Sequence, residues 1–429
     1  MTPERRPIRV ALASWVCASI EWYDFFIYGT ASATVFPSVF FPSQLPLVGT
    51  LLSFATFGVA FVARPLGGAL FGHIGDSRGR KRALIAALVA MGGATTLIGL
   101  LPGYAEIGVA APIALVVLRF VQGMAVGGQQ GGVVVLATEA VPANRGGVYG
   151  SFASAGAPGG VILANLAFLA VASALSPEEI RAWGWRLPFL ASLLVVAVAV
   201  LIQARLEETG EIRPAGQAGS PVLEAVRRHP RAIMLAAGCY LAINLNYYIF
   251  NTFLLAYAPH AGISPRIVLT AVLVASAIEL ICLPAAGWAS DRFGRRRVFG
   301  AGAVLLGAWA FPFWALVDTG STWALLLALV VGLGVLHSLM YGAQPAMFSE
   351  AFSGAVRYSG VSLGIQLGSL LGGAFAPLLA TAMLARFGGA LPIACYMAAG
   401  CAVTLVSGMA LRRHLPATSQ PRKDSHARA

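Results

Sequence analysis

Gly72-His73-Ile74-Gly75-Asp76-Ser77-Arg78-Gly79-Arg80-Lys81-Arg82 returns 215 residues later as Gly287-Trp288-Ala289-Ser290-Asp291-Arg292-Phe293-Gly294-Arg295-Arg296-Arg297. Both copies have a glycine, a small residue and an aspartate, and then Gly-Arg followed by two more basic residues. Both interrupt long apolar stretches, and their offset is half of the 429-residue chain. A repeat at half-length in a membrane chain predicts two homologous helical bundles around a central site, the plan of many transporters.

Composition supports a membrane setting. Hydrophobic residues make up 58% of the chain and charged residues 11%, with mean hydropathy +0.78. A soluble protein of this size could not bury that much apolar surface, so lipid is its solvent. Runs long enough to span, about 20 residues each, fall near 10–36, 47–72, 83–101, 112–138, 147–175 and 185–205. Six more fall near 232–257, 267–288, 298–317, 323–348, 359–384 and 390–411. The expected fold is an all-α integral membrane protein, twelve transmembrane helices in two pseudo-symmetric six-helix bundles. The bundles take residues 1–205 and 232–412, with a cytoplasmic linker at 206–231 and a cytoplasmic tail at 413–429. The linker holds Glu207, Glu208, Pro214, Gly216, Gly219 and Pro221, a turn-forming composition.

The net charge of +12 invites a nucleic-acid reading, which its distribution rejects. With both termini inside, 23 of the 29 Lys and Arg residues fall in cytoplasmic segments, the positive-inside pattern of a cell-membrane protein. The N-terminus resembles a signal peptide, but Glu21 and Asp24 interrupt it and the apolar run resumes, so it reads as an uncleaved first helix. The five cysteines lack metal or disulfide spacing and read as packing residues. No segment is large enough for a soluble catalytic domain, and no zinc-protease, paired metal-ligand or nucleophile-elbow pattern occurs. A transporter rather than an enzyme is expected, with no cofactor and no metal, its partners being substrate, protons and lipid. It is expected to work as a monomer.

Further motifs accompany the repeat: Glu21-Trp22-Tyr23-Asp24-Phe25-Phe26, Arg64-Pro65-Leu66-Gly67-Gly68, Arg119-Phe120-Val121-Gln122-Gly123, Trp183-Gly184-Trp185-Arg186-Leu187-Pro188-Phe189, Leu206-Glu207-Glu208-Thr209 and Arg357-Tyr358-Ser359-Gly360. With them the chain resembles the major facilitator superfamily over nearly its whole length, and its metabolite:proton symporter branch in particular. The run from Glu21 to Ala31 is most similar to shikimate-type permeases. The resemblance implies alternating access and substrates such as small carboxylates, shikimate or betaine-like osmolytes. It also implies that the motif loops clasp the bundles on the cytoplasmic side. One departure stands out: the branch usually carries an acid where this chain has Gln129, within Gly127-Gly128-Gln129-Gln130-Gly131-Gly132. It bears on either the substrate or the proton route.

Charges inside hydrocarbon are costly and persist where they pair or line a cavity. Well inside predicted helices lie Glu21, Asp24 and Glu279, against Arg64 and Arg119. One carboxylate is unmatched if all are ionised, as proton coupling requires. Asp24 lies roughly 18 Å and Arg119 roughly 10 Å from the outer ends of their helices. The resemblance pairs those helices, so an Asp24–Arg119 couple that breaks on protonation is expected, with a permanent ion pair as the alternative. Arg64 and Glu279 each stand twelve residues before a motif aspartate. They are equivalent positions of opposite charge, which suggests an anion anchor and a proton or cation site; packing pairs with neighbouring helices are the other reading.

Polar stripes run beside these charges. Tyr240, Asn244, Tyr247 and Asn251 share one helix face, as do His337, Tyr341 and Gln344, and Glu21, Asp24 and Tyr28. Gln122 and Gln130 flank Arg119. Such stripes must face protein or water, and the resemblance makes helices 1, 4, 7 and 10 the cavity-lining set. The glycines at 123, 127, 128, 131 and 132 suit close helix approach. The gate set is Gly72, Asp76, Gly79, Arg80, Asp291, Gly294 and Arg295, with a weaker repeat in Glu139 and Arg145 against Glu350 and Arg357. Asp76 is expected to accept a bond from the amides opening the following helix. The leading function is proton-coupled import of a small organic acid. Alternatives are an exporter, a betaine or proline symporter, or a non-transporting membrane sensor.

Overall fold

The computed structural model describes residues 5–42, 46–78, 80–127, 146–205, 226–227, 229–352 and 357–414. Gln130, Glu139 and Arg145 lie outside these, as do Gly79 and the side chains of Gly72, Asp76, Arg80 and Arg357. The described residues form twelve long helices: α1 (Arg5–Thr34), α2 (Pro46–Arg78), α3 (Arg80–Leu100), α4 (Ala110–Gly127), α5 (Gly146–Ala174), α6 (Arg186–Arg205), α7 (Pro230–Ala261), α8 (Pro265–Phe293), α9 (Arg295–Val317), α10 (Thr322–Ala351), α11 (Gly360–Phe387) and α12 (Leu391–His414). Ten are long and apolar enough to cross a membrane, and α6 makes an eleventh with the short helix Pro177–Gly184, bent by 52° from it. α1 is 30 residues long and carries Glu21 and Asp24 within its apolar run.

The helices overrun the apolar windows at 47–72 and 267–288. α2 continues to Arg78 and α8 to Phe293, and α3 and α9 start at Arg80 and Arg295. Backbone hydrogen bonding along a helix does not depend on apolar side chains, so it runs on past the hydrocarbon boundary. The repeated motif is therefore two helix ends with one residue between them rather than a loop. At the second copy that residue is Gly294, at φ +97°, a conformation that side-chain-bearing residues rarely adopt.

The half-length repeat reappears as repeated packing. In the first half α1 packs on α5, α2 on α4 and α3 on α6 and α4; in the second, α7 packs on α11, α8 on α10 and α9 on α12 and α10. Close approach depends on glycine. A Cβ at Gly123 would meet the Ala60 carbonyl oxygen at 2.2 Å, and one at Gly127 would meet that of Arg64 at 1.9 Å. Small residues are how membrane helices gain contact when lipid competes for apolar side chains. Of the glycines read this way, 123 and 127 are described.

The halves meet where α5 packs on α8 and α10, where α2 packs on α11, and where α1 packs on α7. At the end bearing the second motif, a Cβ on Gly287 would meet the Gly147 carbonyl oxygen at 2.5 Å. Further along the α5–α8 seam Asn165 donates to the Leu269 carbonyl over 3.3 Å. Where α2 meets α11, Gly58 faces Ala374, and Gly373 faces Phe61 and Tyr248. Three second-half helices relax into π-turns at mid-length: α7 at Ile249–Phe253, α10 at Val330–His337 and α11 at Leu370–Ala374. Such turns are rare and often mark functional positions.

Candidate functional site

The charged stripe of α1 meets α2, α4 and α6 inside the first bundle. Arg119 is fully buried, and its Nη1 donates to Gln122 Oε1 at 3.1 Å. Gln122 Nε2 donates in turn to Thr95 Oγ1 at 2.7 Å. The Arg119 guanidinium carbon lies 4.0 Å from the Tyr28 ring centre, 4.5 Å from Phe25 and 5.0 Å from Phe57. Thr56 gives its hydroxyl hydrogen to the Ser53 carbonyl, so Tyr28 Oη donates to Thr56 Oγ1, at 2.6 Å. This chain of bonds fixes the ring on which Arg119 rests.

Asp24 and Arg119 do not form the expected couple. The Asp24 carboxylate turns to α6, where Ser192 Oγ donates to its Oδ1, and Oδ2 makes no well-formed hydrogen bond among the described residues. Arg119 turns to Gln122 and to the rings of Tyr28, Phe25 and Phe57.

Arg64 is 1% exposed, its guanidinium carbon 4.2 Å from the Phe61 ring centre and 5.0 Å from Phe25. Its three nitrogens make no well-formed hydrogen bond among the described residues, and the polar groups that interact with it include the Tyr248 hydroxyl and the Glu21 carboxylate. Arg119 Nε and Nη2 are also unpartnered. Glu21 lines a narrow crevice with Arg64, Trp22, Phe25 and Val126. Burying a guanidinium costs several kcal/mol, roughly. Ring faces return about 2 kcal/mol when desolvated. Aromatic stacking alone leaves the donors unsatisfied, and a carboxylate matches them by two parallel bonds.

The second bundle arranges its charge differently. Glu279 on α8 and His337 on α10 are both wholly buried, with Nδ1 2.9 Å from Oε1. The other ring nitrogen, Nε2, lies 3.1 Å from the Ile243 carbonyl oxygen on α7. His337 is also placed by the π-turn it ends and by two rings, Tyr247 at 5.1 Å and Tyr341 at 5.4 Å between centres. Tyr240, Asn244, Asn251 and Gln344 are buried beside them. Several polar atoms here make no well-formed hydrogen bond among the described residues: Tyr247 Oη, Asn251 Oδ1, Gln344 Nε2 and, on α8, Glu279 Oε2 and Ser276 Oγ. Asn251 Nδ2 is used locally, donating to the Tyr247 carbonyl at 2.8 Å.

Tyr247 and Tyr248 join the two clusters. Tyr247 packs on Phe26 of α1, and Tyr248 packs on Phe25, Phe57 and Phe61, with ring centres 5.4–5.7 Å apart. Tyr248 Oη is buried and makes no well-formed hydrogen bond among the described residues. Sequence reasoning missed Tyr248, Ser192, Thr95 and the phenylalanines. The phenylalanines carry no polar signal, and Tyr248 lies off the polar stripe. Its one signal was adjacency to Tyr247.

The gate residues of the second motif are resolved in detail. Asp291 accepts from the backbone amides of Gly147 at 2.8 Å and Val148 at 3.1 Å, which open α5 in the other half. The aspartate therefore caps a helix of the opposite bundle, where negative charge is favoured, and not the helix that follows it. Gly147 permits this, because a Cβ there would lie 2.4 Å from the Gly287 carbonyl oxygen. Arg295 Nη2 lies 3.4 Å from Asp291 Oδ1, and Nη1 bonds Glu350 and the Ala346 carbonyl. Beside this clasp, Ser154 donates to the Tyr341 carbonyl at 3.0 Å, tying α5 to α10.

Known proteins share this sequence and this architecture. The Major Facilitator Superfamily model matches residues 14–279 and 236–428. The shikimate transporter of Escherichia coli (strain K12) is 37% identical over 415 residues, covering 95% of each chain. The inner membrane metabolite transport protein YhjE of the same organism is 38% identical over 95% of this chain and 94% of its own. A proline/betaine transporter of Salmonella typhimurium (strain LT2) is 31% identical over 92% and 81%. Among solved structures, a D-xylose-proton symporter superposes with a TM-score of 0.75 at 18% identity, over 95% of this chain and 97% of that one. The partially occluded, inward-open xylose transporter XylE of E. coli gives 0.72 at 16%, over 96% and 98%. The chain is thus a multi-pass membrane transporter, not an enzyme, and it belongs to the Major Facilitator Superfamily, in the branch of these metabolite transporters.

Proposed function

We propose that this carrier imports a small hydroxylated organic acid together with protons, by alternating access, with Arg64 holding the substrate carboxylate. The observation that carries the reading is the wholly buried Arg64 guanidinium, whose nitrogens make no well-formed hydrogen bond among the described residues. Arg119 Nη2 and Tyr248 Oη offer further donors nearby, and Asn244, Tyr247, Tyr341 and Gln344 face the hydroxyls from the second bundle. The shikimate transporter among the relatives names a substrate of this chemistry. Asp24, with one oxygen held by Ser192, takes the coupling proton, and Glu21 stands beside the anion. A betaine reading, prompted by the proline/betaine relative, is less well served. The ring faces that would hold a quaternary ammonium are covered by the two guanidinium groups.

The motif end is cytoplasmic in this reading, both termini are inside the cell, and one chain suffices for transport. The clasp of Asp291 on α5 holds the halves together at that end. The test is uptake into proteoliposomes, acid outside, of labelled shikimate, a dicarboxylate, an aromatic acid and betaine. Uptake of a hydroxylated acid with acidification of the lumen is expected. Uptake of betaine alone rejects the substrate class, and alkalinisation of the lumen during uptake rejects symport.

A further inference from the structure

We infer that Glu279 and His337 form a second proton site, separate from the α1 carboxylates, whose single proton staples α7, α8 and α10 together. The hydrogen inventory carries this. The Ile243 carbonyl oxygen can only accept, so the 3.1 Å contact requires a hydrogen on His337 Nε2. Nδ1 and Glu279 Oε1 stand 2.9 Å apart. That contact holds a hydrogen in either arrangement: imidazolium donating to carboxylate, or carboxylic acid donating to neutral imidazole. The pair thus contains one proton beyond Nε2–H and is neutral as a unit. Without that proton, the Nδ1 lone pair faces an anionic oxygen across 2.9 Å, a repulsive contact with no water to screen it.

Losing the proton therefore opens a joint between helices. His337 is the one side chain bonded both to α8, through Glu279, and to α7, through Ile243. It ends the eight-residue π-turn Val330–His337, a stretch whose hydrogen-bond register differs from the helix around it. The joint borders the polar atoms left over in this bundle: Glu279 Oε2, Ser276 Oγ and Tyr247 Oη are all buried without partners. The other titratable groups around it are Tyr240 and Tyr247 from α7, Cys282 from α8 and Tyr341 from α10. Phenols and thiols are ordinarily neutral at physiological pH, so the pair has no competing charge among them. No feature of this joint involves Arg64 or a carboxylate ligand.

The test needs no substrate. Carrier labelled with 15N-histidine in lipid nanodiscs is titrated, and His337→Asn identifies the His337 signals among the six histidines. Nε2 is expected to stay protonated throughout. Nδ1 is expected to lose its proton in a single step, with faster amide exchange over residues 240–248 accompanying it. In Glu279→Gln the amide donates to Nδ1 permanently, so the step is lost. Should that variant not fold, Glu279→Asp keeps the charge one methylene further back, and the step moves but persists. An Nε2 without hydrogen overturns the proposal, as does a titration identical in wild type and either variant. Shikimate uptake measured in parallel addresses Arg64 separately: the two results stand or fall independently.

Discussion

Arg64 and Glu279 occupy the same place in the two halves, twelve residues before the motif aspartates Asp76 and Asp291, yet their surroundings are opposite. Arg64 rests on Phe61 and Phe25 and makes no well-formed hydrogen bond among the described residues. Glu279 is bonded to His337, which is itself bonded to the backbone of a third helix. Packing is repeated and chemistry is not. A buried charge left open awaits a ligand, whereas a buried charge already partnered holds something back, here a proton. Two copies of one bundle can thus be specialised without disturbing the helix pairing that lets them rock against each other.

Replacing Arg64 tests the open side and carries the largest expected effect. Arg64→Leu removes a charge-assisted, two-bond contact to the substrate carboxylate, worth about 3 kcal/mol or more, so affinity falls roughly 100-fold. The thermal midpoint of the empty carrier is expected to change little, because the guanidinium makes no well-formed hydrogen bond among the described residues and its desolvation cost offsets the lost attraction to Glu21. Binding of labelled shikimate and the thermal midpoint of the purified protein give both readouts. Unchanged affinity together with a lowered midpoint makes Arg64 a structural residue and removes the contrast with Glu279.

The second effect concerns the α1 carboxylate. With one proton per substrate, a gradient of one pH unit supports about tenfold accumulation. Asp24→Asn is expected to reduce that ratio to one, while exchange of internal for external substrate continues. The asparagine keeps an oxygen for Ser192, so the helix contact survives. Normal pH-driven accumulation in the variant moves the coupling elsewhere, with Glu279–His337 as the first place to look.

Much of this was legible in the residues. The repeat at 215 gave two bundles, and the polar stripes of α7 and α10 are buried where they were expected. Partner choice was not legible. Position along the helices made Asp24 and Arg119 candidates for each other but gave no direction around the axis, and one side chain turns to Ser192 and the other to Gln122. The capping expectation, made for Asp76, looked to the helix that follows, whereas the amides bound by Asp291 lie 144 and 143 residues away in the other half. Glu279 and His337 were both singled out, but nothing in their spacing says that two helices bring them together. The motif glycines were visible and their reasons were not: Gly287 admits Gly147, and Gly294 turns the chain.

The smallest expected effect lies at the gate, where the two copies of the motif can be compared directly. Asp291 binds two α5 amides and lies beside Arg295, which also bonds Glu350. A carboxylate at a helix N-terminus contributes about 1 kcal/mol, rising towards 2 kcal/mol when partly buried. Asp291→Asn keeps one acceptor and loses the charge, so the closed state weakens by about that amount. Turnover, measured as counterflow in proteoliposomes, is expected to change about fivefold, while substrate affinity stays within twofold, because Arg64 and Tyr248 are untouched. If the halves clasp symmetrically, Asp76→Asn shows the same split between rate and affinity. A change in Asp291→Asn alone means that the α5–α8 seam carries the gate and that the first copy has lost its share. Unchanged turnover in both variants removes the motif from the transport cycle and leaves it a joint between consecutive helices.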